Sequence, residues 1–270
     1  MQGSSRAAAV GSREAFTGVL AAGADRTRLA EELFAVVALL DSNLTLRRAV
    51  ADPSQDAARK TDLVQRLFAT RVGAEALAVI KGVASQRWSS ERDLSDTLER
   101  YAVESVVADA ETQDQGDQVE DELFRFERIV AADPALRTAL TDVGGSAERR
   151  TTLLETLLDG KVTPQTLTLA RQAVLAPRGR RFDSVVQQYL EIAATRREQQ
   201  TATVISAVPL GEQERSRLAA GLSAIYGGKV HVNTVVDPRV LGGIKVEIGD
   251  EVIDGTVIRK LDAARRAMGA

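Results

Sequence analysis

Few side chains in this sequence have the types and spacing that catalysis requires, and His231 is the first to consider. It is the single histidine of the chain, which has no cysteine. A Ser-His-Asp triad or a zinc site needs partner side chains placed around the imidazole. Because His231 lies in an alternating, strand-like segment without such partners nearby, we interpret it as an ordinary strand residue.

Three carboxylates, Asp250, Glu251 and Asp254, lie close together at a predicted hairpin. Paired acids can transfer protons or bind a cation. Acids on a tight turn are more often solvated, and an aspartate there commonly accepts hydrogen bonds from the local backbone. We therefore favour a structural role for Asp254 and solvent exposure for its neighbours.

Two further segments resemble ligand-binding loops. Residues 227–229 read Gly-Gly-Lys, but they lack the length and the following Ser or Thr of a phosphate-binding loop, so we interpret them as a helix end before a strand. The basic segment with Arg178, Arg180 and Arg181 could touch an anionic surface; we favour an exposed connection. The sequence thus predicts no catalytic, metal-binding or cofactor-binding residue.

Composition limits the class of protein. The 270 residues are 44% hydrophobic and 27% charged, as in an ordinary globular protein. The formal net charge of −3 argues against a nucleic-acid-binding protein. Because no apolar run approaches the roughly 18 residues of a membrane span, we expect contact with a membrane to be indirect, through a partner.

Apolar residues recur at helical spacing through the first 200 residues. We predict a disordered lead over 1–11, a first helix over 12–22 and five more helices up to Ala110. Trp88, the only tryptophan, is either a packing anchor or an interface anchor. The polar segment 112–118 is expected to be a hinge or a helix interruption.

The helical text repeats along the chain. Residues 29–68 and 119–158 share 12 identities in 40 positions at an offset of 90, against roughly one in ten by chance. We predict a duplicated helical bundle, with copy one over 12–111 and copy two over 112–200. Copy two lacks a separate first helix, and we expect 101–111 to close copy one and lead into copy two, or even to serve it.

Residues 201–270 follow a different pattern. Alternating segments predict strands over 201–208, 230–236 and 244–248, and a fourth over 251–253. A helix is predicted between the first two strands, and a basic helix follows Thr256, which can cap it. The fold class is therefore mostly α and α+β overall: two tandem helical bundles followed by a small α+β C-terminal domain over 201–270 with a mixed sheet.

The turns of the C-terminal domain carry the most specific pattern in the chain. Glycines there permit backbone angles or close approaches that a side chain would block, and none of the residues has an evident chemical role. The pattern consists of Pro209, Asp237, Gly242, Gly243, Gly249, Asp250, Asp254 and Gly255.

Together with the upstream Ala207-Val208-Pro209-Leu210, this pattern closely resembles the signature of the delta subunit of F-type ATP synthase. The mitochondrial relative is called the oligomycin-sensitivity-conferring protein. The resemblance is strong over residues 200–268 and weaker in the N-terminal part. Thr256 stands where the family usually has Ser, and both residues can cap a helix.

The resemblance implies a non-catalytic peripheral-stalk subunit, or stator, that couples proton transport to ATP synthesis. In the family, one six-helix bundle binds the N-terminal helices of the alpha subunits, and the C-terminal domain binds the C-terminal end of the b subunit. Each copy here resembles that bundle, as in an enlarged form of the family. The implied location is the cytoplasmic side of the cell membrane, peripheral, as part of the ATP synthase complex.

Several alternatives stay open at this point. Chain order favours copy two as the bundle that contacts alpha, whereas the first-helix match favours copy one. A general helical adaptor unrelated to ATP synthase is the second hypothesis, and an enzyme with a cryptic site is the third. The pattern over 237–256 favours the stator hypothesis, since an unrelated adaptor has no reason to carry it.

Overall fold

A computed structural model describes residues 3–142, 144–199, 201–226, 230–240, 242–249 and 251–255. The chain forms two compact units, residues 1–193 and residues 194–270. Each unit has its own cluster of buried apolar side chains. The chain is mostly helical with one small mixed sheet near its C-terminus, which confirms the predicted fold class.

The described part of the first unit consists of helices and turns. Its last helix continues past the unit boundary. The helices are α1 Gly3–Ala21, α2 Arg26–Ser42, α3 Leu44–Ala51, α4 Ala57–Phe68, α5 Ala74–Ser85, α6 Glu91–Thr112, α7 Gly116–Ala132, α8 Pro134–Thr141, α9 Ala147–Leu158, α10 Pro164–Leu175 and α11 Phe182–Gln199.

Polar side chains at the helix starts explain where these helices begin. The Asp25 carboxylate accepts a hydrogen bond from the backbone N–H of Arg28, and Asp56 caps α4 through the N–H of Arg59. Such caps satisfy backbone donors that have no partner within the helix. The same device recurs in both copies, at Asp25, Asn43, Asp56, Ser90, Asp133, Ser146 and Thr163.

Helix bounds follow the sequence repeat. Subtracting 90 from the bounds of α7, α8, α9 and α10 gives the bounds of α2, α3, α4 and α5. Two partly buried contacts recur at the same interval: the Glu32 carboxylate accepts the Gly73 N–H, and the Glu122 carboxylate accepts the Thr163 N–H, each at 2.8 Å. These correspondences support the proposed duplication.

A buried cation also occurs at the same position of each copy. Lys60 Nζ donates to the carbonyl oxygen of Gln86 at 2.5 Å, and Arg150 Nη1 donates to that of Val174 at 3.0 Å. Each cation therefore meets backbone carbonyls at the end of the next helix, where the helix dipole is negative. Burial lowers the pKa of Lys60, as expected for an ammonium group removed from water.

Helix α6 belongs to both bundles. At the 90-residue offset it occupies the place of α1. At an offset of 88, which aligns Arg92 with Arg180 and Tyr101 with Tyr189, it is also the counterpart of α11. It packs against α2 and α5 of copy one and against α7 and α10 of copy two. Its side chains are consequently buried around the helix, from Leu94 to Ala110. The segment expected to lead into copy two thus lies in a helix that contacts both copies.

The N-terminus differs from the predicted disordered lead over 1–11. Helix α1 begins at Gly3, and Ser5 and Ala8 are buried. The Ser5 hydroxyl accepts the Ser89 N–H at 2.9 Å. Because small residues make this contact, the segment has no large apolar stripe, and the helical pattern was missed. The prediction is therefore wrong for residues 3–11.

The polar segment over 112–118 is an interruption between two helices. Helix α6 ends at Thr112 and α7 begins at Gly116. Asp114 takes the left-handed conformation with φ of 56°. A short polar side chain tolerates this conformation better than most residues do.

The described part of the C-terminal domain has four strands and one helix, α12 Glu212–Tyr226. The strands are β1 Thr201–Ser206, β2 His231–Val236, β3 Ile244–Ile248 and β4 Glu251–Asp254. Their order in the sheet is β2-β1-β3-β4, with β1 and β2 parallel and the other pairs antiparallel. The predicted helix after Thr256 lies outside the described residues.

One face of this sheet forms the core of the domain. Ala202, Val204, Val246 and Ile248 are buried together with Leu222 of α12. The register places Val204 opposite Val246 and Ala202 opposite Ile248, so the alternating apolar residues of β1 and β3 meet on the same face. The period-two pattern of the sequence thus predicted the buried face correctly.

Candidate functional site

The signature turns form a set of close backbone contacts around the sheet. The Asp237 N–H donates to the carbonyl oxygen of Ser206 at 2.9 Å, and the Asp237 carboxylate accepts the N–H of Arg239 at 2.9 Å. Hydrogen bonds from the Arg239 side chain and backbone lower the pKa of Asp237. Asp237 therefore fixes the turn that leaves β2.

Three glycines of the signature have a left-handed backbone conformation, which other residues rarely adopt. Gly242, Gly243 and Gly249 have φ values of 71°, 80° and 53°. Gly255 has a different reason: its N–H donates to the Ile244 carbonyl at 2.9 Å, and a Cβ there would lie 3.2 Å from that oxygen. The turns therefore favour residues without side chains, as expected from the glycines at positions 242, 243 and 255.

The remaining signature residues lie beside these turns. Pro209 follows β1, where the Ser206 hydroxyl donates to the carbonyl oxygen of Val208 at 2.7 Å. Asp254 ends β4 opposite Lys245 of β3 and is half-buried. Asp250 and Thr256 lie outside the described residues.

Side chains with possible chemistry do not converge in the described part of the C-terminal domain. His231 is exposed at the start of β2, and Lys245 pairs with Glu247 at 2.6 Å. Among all described residues, no group of His, Cys, Asp and Glu is arranged to hold a metal ion. What the signature produces is a defined shape.

The outer face of the sheet carries exposed apolar side chains. Val235 is 47% exposed opposite Ile205, and Val252 is 51% exposed opposite Glu247. Beyond the sheet, Val208 and Ile225 are 65% and 70% exposed. Isolated apolar side chains of this kind are common on protein surfaces.

The basic loop after α10 is not the exposed connection that was predicted. The side chain of Arg178 is 6% exposed. Its guanidinium pairs with Asp41 of α2, and with Asp96 at 2.8 Å and Glu99 at 2.5 Å on α6. Only Arg181 of the three arginines is well exposed, at 80%, beside Asp183.

Further groups complete this ion-pair cluster. Arg180 Nη2 pairs with Glu99 at 2.5 Å, the Tyr189 hydroxyl donates to Glu99 at 3.1 Å, and Arg47 pairs with Asp41 at 3.0 Å. We call the set Arg178, Arg180, Arg47, Asp41, Asp96, Glu99 and Tyr189 the Arg178 cluster. The signal that was missed is Glu99, an acid that the helical period places in the buried stripe of α6.

Trp88 is a packing anchor rather than an exposed interface residue. It is 3% exposed, and its indole N–H donates to the carbonyl oxygen of Val83 at 2.8 Å. A buried indole whose N–H is satisfied stabilises the turn between α5 and α6. The structure thus decides between the two interpretations that the sequence left open.

Surface apolar residues also occur on the helices of the first unit. Val10 of α1 is 72% exposed, and Phe124 and Ile129 of α7 are 54% and 57% exposed. None of the described helices is long and apolar enough to cross a membrane.

Comparison with known proteins gives a family match over most of the chain. The family described as "ATP synthase delta (OSCP) subunit" matches residues 97–268. That range begins within α6 and covers copy two and the signature turns.

Individual relatives extend the similarity to copy one. The chain is 47% identical over 248 residues to the ATP synthase subunit delta of Kineococcus radiotolerans, covering 92% of this chain and 90% of the relative. It is 42% identical over 269 residues to the subunit of Streptomyces avermitilis, covering 99% and 98%. The protein of the same name from Thermobifida fusca is 44% identical, with 91% of both chains covered.

Proposed function

The chain belongs to the ATP synthase delta (OSCP) subunit family, and on that premise we propose that it is a non-catalytic peripheral-stalk subunit of the proton-translocating F-type ATP synthase. The observation that carries the proposal is the family match over residues 97–268, which contains the signature turns. Relatives called ATP synthase subunit delta align with nearly the whole chain. A general helical adaptor has no support from this match.

The mechanism proposed is mechanical. A stator subunit must hold the catalytic head against rotation while the rotor turns, so it needs two binding surfaces and no reactive groups. The two compact units, each with its own apolar core, provide separate bodies for the two surfaces. Their exposed apolar residues, such as Val10, Phe124 and Val252, support binding to protein partners.

The partners follow from the family and stay proposals. The helical bundles bind the N-terminal helices of the alpha subunits, since a bundle offers grooves for an amphipathic helix. The C-terminal domain binds the C-terminal end of the b subunit. The complex places the chain peripherally on the cytoplasmic side of the cell membrane. The division into copy one over 12–111, copy two over 112–200 and the C-terminal domain over 201–270 is proposed in the same sense.

The signature residues act through shape in this proposal. Asp237, Gly242, Gly243 and Gly249 set turns between strands, and Gly255 allows the close approach to Ile244. Pro209 and Asp254 adjoin the ends of β1 and β4.

Purification of the tagged chain from its native membranes tests the function. We expect the alpha, beta and b subunits to co-purify with the wild type. The matched control is an untagged strain treated identically. Recovery of the tagged chain without any of these subunits, under conditions where the rest of the synthase stays assembled, would contradict the proposal.

A second assay addresses catalysis by the chain itself. We expect the rate of ATP hydrolysis with the purified chain to equal the background rate in buffer alone. Turnover that follows the chain through purification and disappears on its unfolding would exclude a purely structural role.

A further inference from the structure

We infer that the Arg178 cluster is a lock that joins the two helical bundles into one mechanical body. Arg178 lies in the turn between α10 and α11 of copy two, yet its side chain contacts Asp41 on α2 of copy one as well as Asp96 and Glu99 on the shared helix α6. Its bonds to Asp41 lie across 137 positions of sequence. The inference goes beyond the proposed function and does not depend on it.

The cluster is closed from several directions. Arg178 Nη2 donates to the Ser95 hydroxyl at 3.0 Å, and its backbone carbonyl accepts a hydrogen bond from Arg92 at 2.6 Å. Arg180 joins the same acid, Glu99, and also donates to Gln188 of α11 at 2.5 Å. The backbone of this turn is therefore held by α6, and the Arg178 side chain is held by both α6 and α2.

Charges within the cluster are balanced. Three carboxylates face three guanidinium groups, and the central pair, Arg178 with Glu99, is almost wholly buried, at 6% and 2% side-chain exposure. A buried ion needs a complete set of partners, because removing one leaves an uncompensated charge out of water. The bonds are also directional, so the turn cannot slide over α6 as an apolar contact could.

The backbone of the turn supports a tightly held conformation. Arg178 has a φ of 56°, in the left-handed region that few residues other than glycine adopt. Such a conformation persists only where surrounding contacts determine it. The following residue, Gly179, also has a positive φ, of 75°.

Comparison of the two copies shows that the lock is specific to the junction. The corresponding turn of copy one, residues 86–90, holds Trp88, which is buried and donates to Val83 of the preceding helix. This turn therefore closes on its own helices in copy one, whereas in copy two it also reaches α2 of copy one through Arg178. A buried arginine is not needed to build the turn, and the role of Arg178 lies in the connection.

The lock predicts how the first unit opens. Helix α6 is shared, so the bundles can separate only if α7–α11 leave one side of it. With the lock intact, we expect the amide hydrogens of α5 and of its counterpart α10 to exchange through one event, the unfolding of the whole first unit. Without the lock, α10 and α11 should open while α5 stays closed.

Native-state hydrogen exchange of the full chain tests this inference, with Arg178→Met as the variant. We expect exchange in α10 to accelerate at least tenfold more than in α5. The matched control is Arg181→Met, which removes an exposed arginine from the same loop and should leave both helices unchanged.

A second variant keeps the test decisive if Arg178→Met does not fold. Arg180→Met removes an outer member of the cluster, which is 22% exposed, and should give the same asymmetry with smaller size. Equal acceleration of α5 and α10 in the folded variant, or no change beyond that of Arg181→Met, would overturn the inference.

Discussion

At the scale of single residues, the Arg178 cluster holds two aspartates whose environments act in opposite directions. Burial opposes ionisation of Asp41, but the hydrogen bond and charge of Arg178, with those of Arg47, outweigh it and lower the pKa of Asp41. Burial raises the pKa of Asp96, and the attraction of Arg178 only partly offsets this. Both carboxylates contact the same guanidinium, so they can be compared directly.

This difference predicts unequal effects of removing each charge. Because the pKa of Asp41 is lower in the folded chain, its ionised form stabilises the fold above the unfolded pKa, and that contribution is lost as the pH falls through the folded pKa. We expect Asp41→Asn to lower the free energy of unfolding by about 1.5–3 kcal/mol at pH 7. Urea unfolding at several pH values measures this effect, which should begin to decline as the pH falls below the ordinary aspartate pKa of 3.8 and vanish only below the lowered pKa of the folded chain.

Asp96→Asn is the matched variant. The folded state raises the pKa of Asp96, so its ionised form costs free energy at neutral pH, and this cost is relieved as the pH falls. We therefore expect Asp96→Asn to be less destabilising than Asp41→Asn at pH 7. A larger loss of stability in Asp96→Asn would show that the assignment of the two roles is wrong.

Residue roles were only partly readable from the sequence. Positive φ at Gly242 and Gly243 follows from a rule about glycine that needs no tertiary information. The burial of Arg178 depends on acids far away in sequence, on α2 and α6, which no local pattern reveals.

At the scale of elements, small residues decide how closely the helices approach. A Cβ on Gly82 of α5 would lie 2.5 Å from the Cβ of Ala15 on α1. Gly18 of α1, in contrast, is exposed, with no atom within 4 Å of an added Cβ. The two glycines therefore have different reasons to be present.

Substitutions at these glycines should have opposite signs. We expect Gly82→Val to push α1 from α5 and to destabilise the first unit by about 1–3 kcal/mol. Gly18→Ala should stabilise it by about 0.5–1 kcal/mol, since alanine favours a helix. Thermal unfolding followed by circular dichroism measures both. A stable Gly82→Val chain with unchanged melting temperature would refute the close packing of α1 on α5.

Most elements were predictable because their apolar period and capping residues are local. The start of α1 was missed because its contacts use serine, alanine and glycine, which carry no apolar stripe. Only the structure explains why the helical repeat ends at α11. Val103 is buried in α6, whereas the aligned residue of α11, Glu191, is exposed. Helix α11 thus lacks there the apolar surface that α6 uses between two bundles.

At the scale of the whole molecule, two separate cores allow damage in one unit to leave the other folded. The C-terminal domain has the smaller core, and its turns depend on glycines in the left-handed region. Loss of its shape would remove one of the two surfaces proposed for the stator while the helical unit persists.

Gly243→Val tests this separation. Valine is strongly disfavoured at a φ of 80°, and we expect the C-terminal domain to lose about 1–3 kcal/mol. Proton-driven ATP synthesis in membranes carrying the variant should fall, while the helices of the first unit stay folded. The matched control is Gly221→Ala in α12, where no atom lies within 4 Å of the added Cβ. Full synthesis with Gly243→Val would contradict the proposed role of the turn.

Function at this scale came from the signature pattern and the family match, since no reactive constellation pointed to it. The class of fold was predictable because the change from helical to alternating periodicity near residue 200 is visible in the sequence. The union of both bundles in one compact unit was not, because it depends on a helix buried on opposite sides at once.

Because α6 is shared, one 90-residue repeat can be removed from the chain without creating a new type of junction. Since α1 and α6 hold equivalent places 90 residues apart, excising one period between matching points in these two helices would join half of α1 to half of α6 as one continuous rod. After this junction, the shortened chain would have the same helices, turns and caps as before. Insertion of one more 90-residue repeat at the same point would also keep the helix continuous. Bundles can therefore be gained or lost here without a new linker.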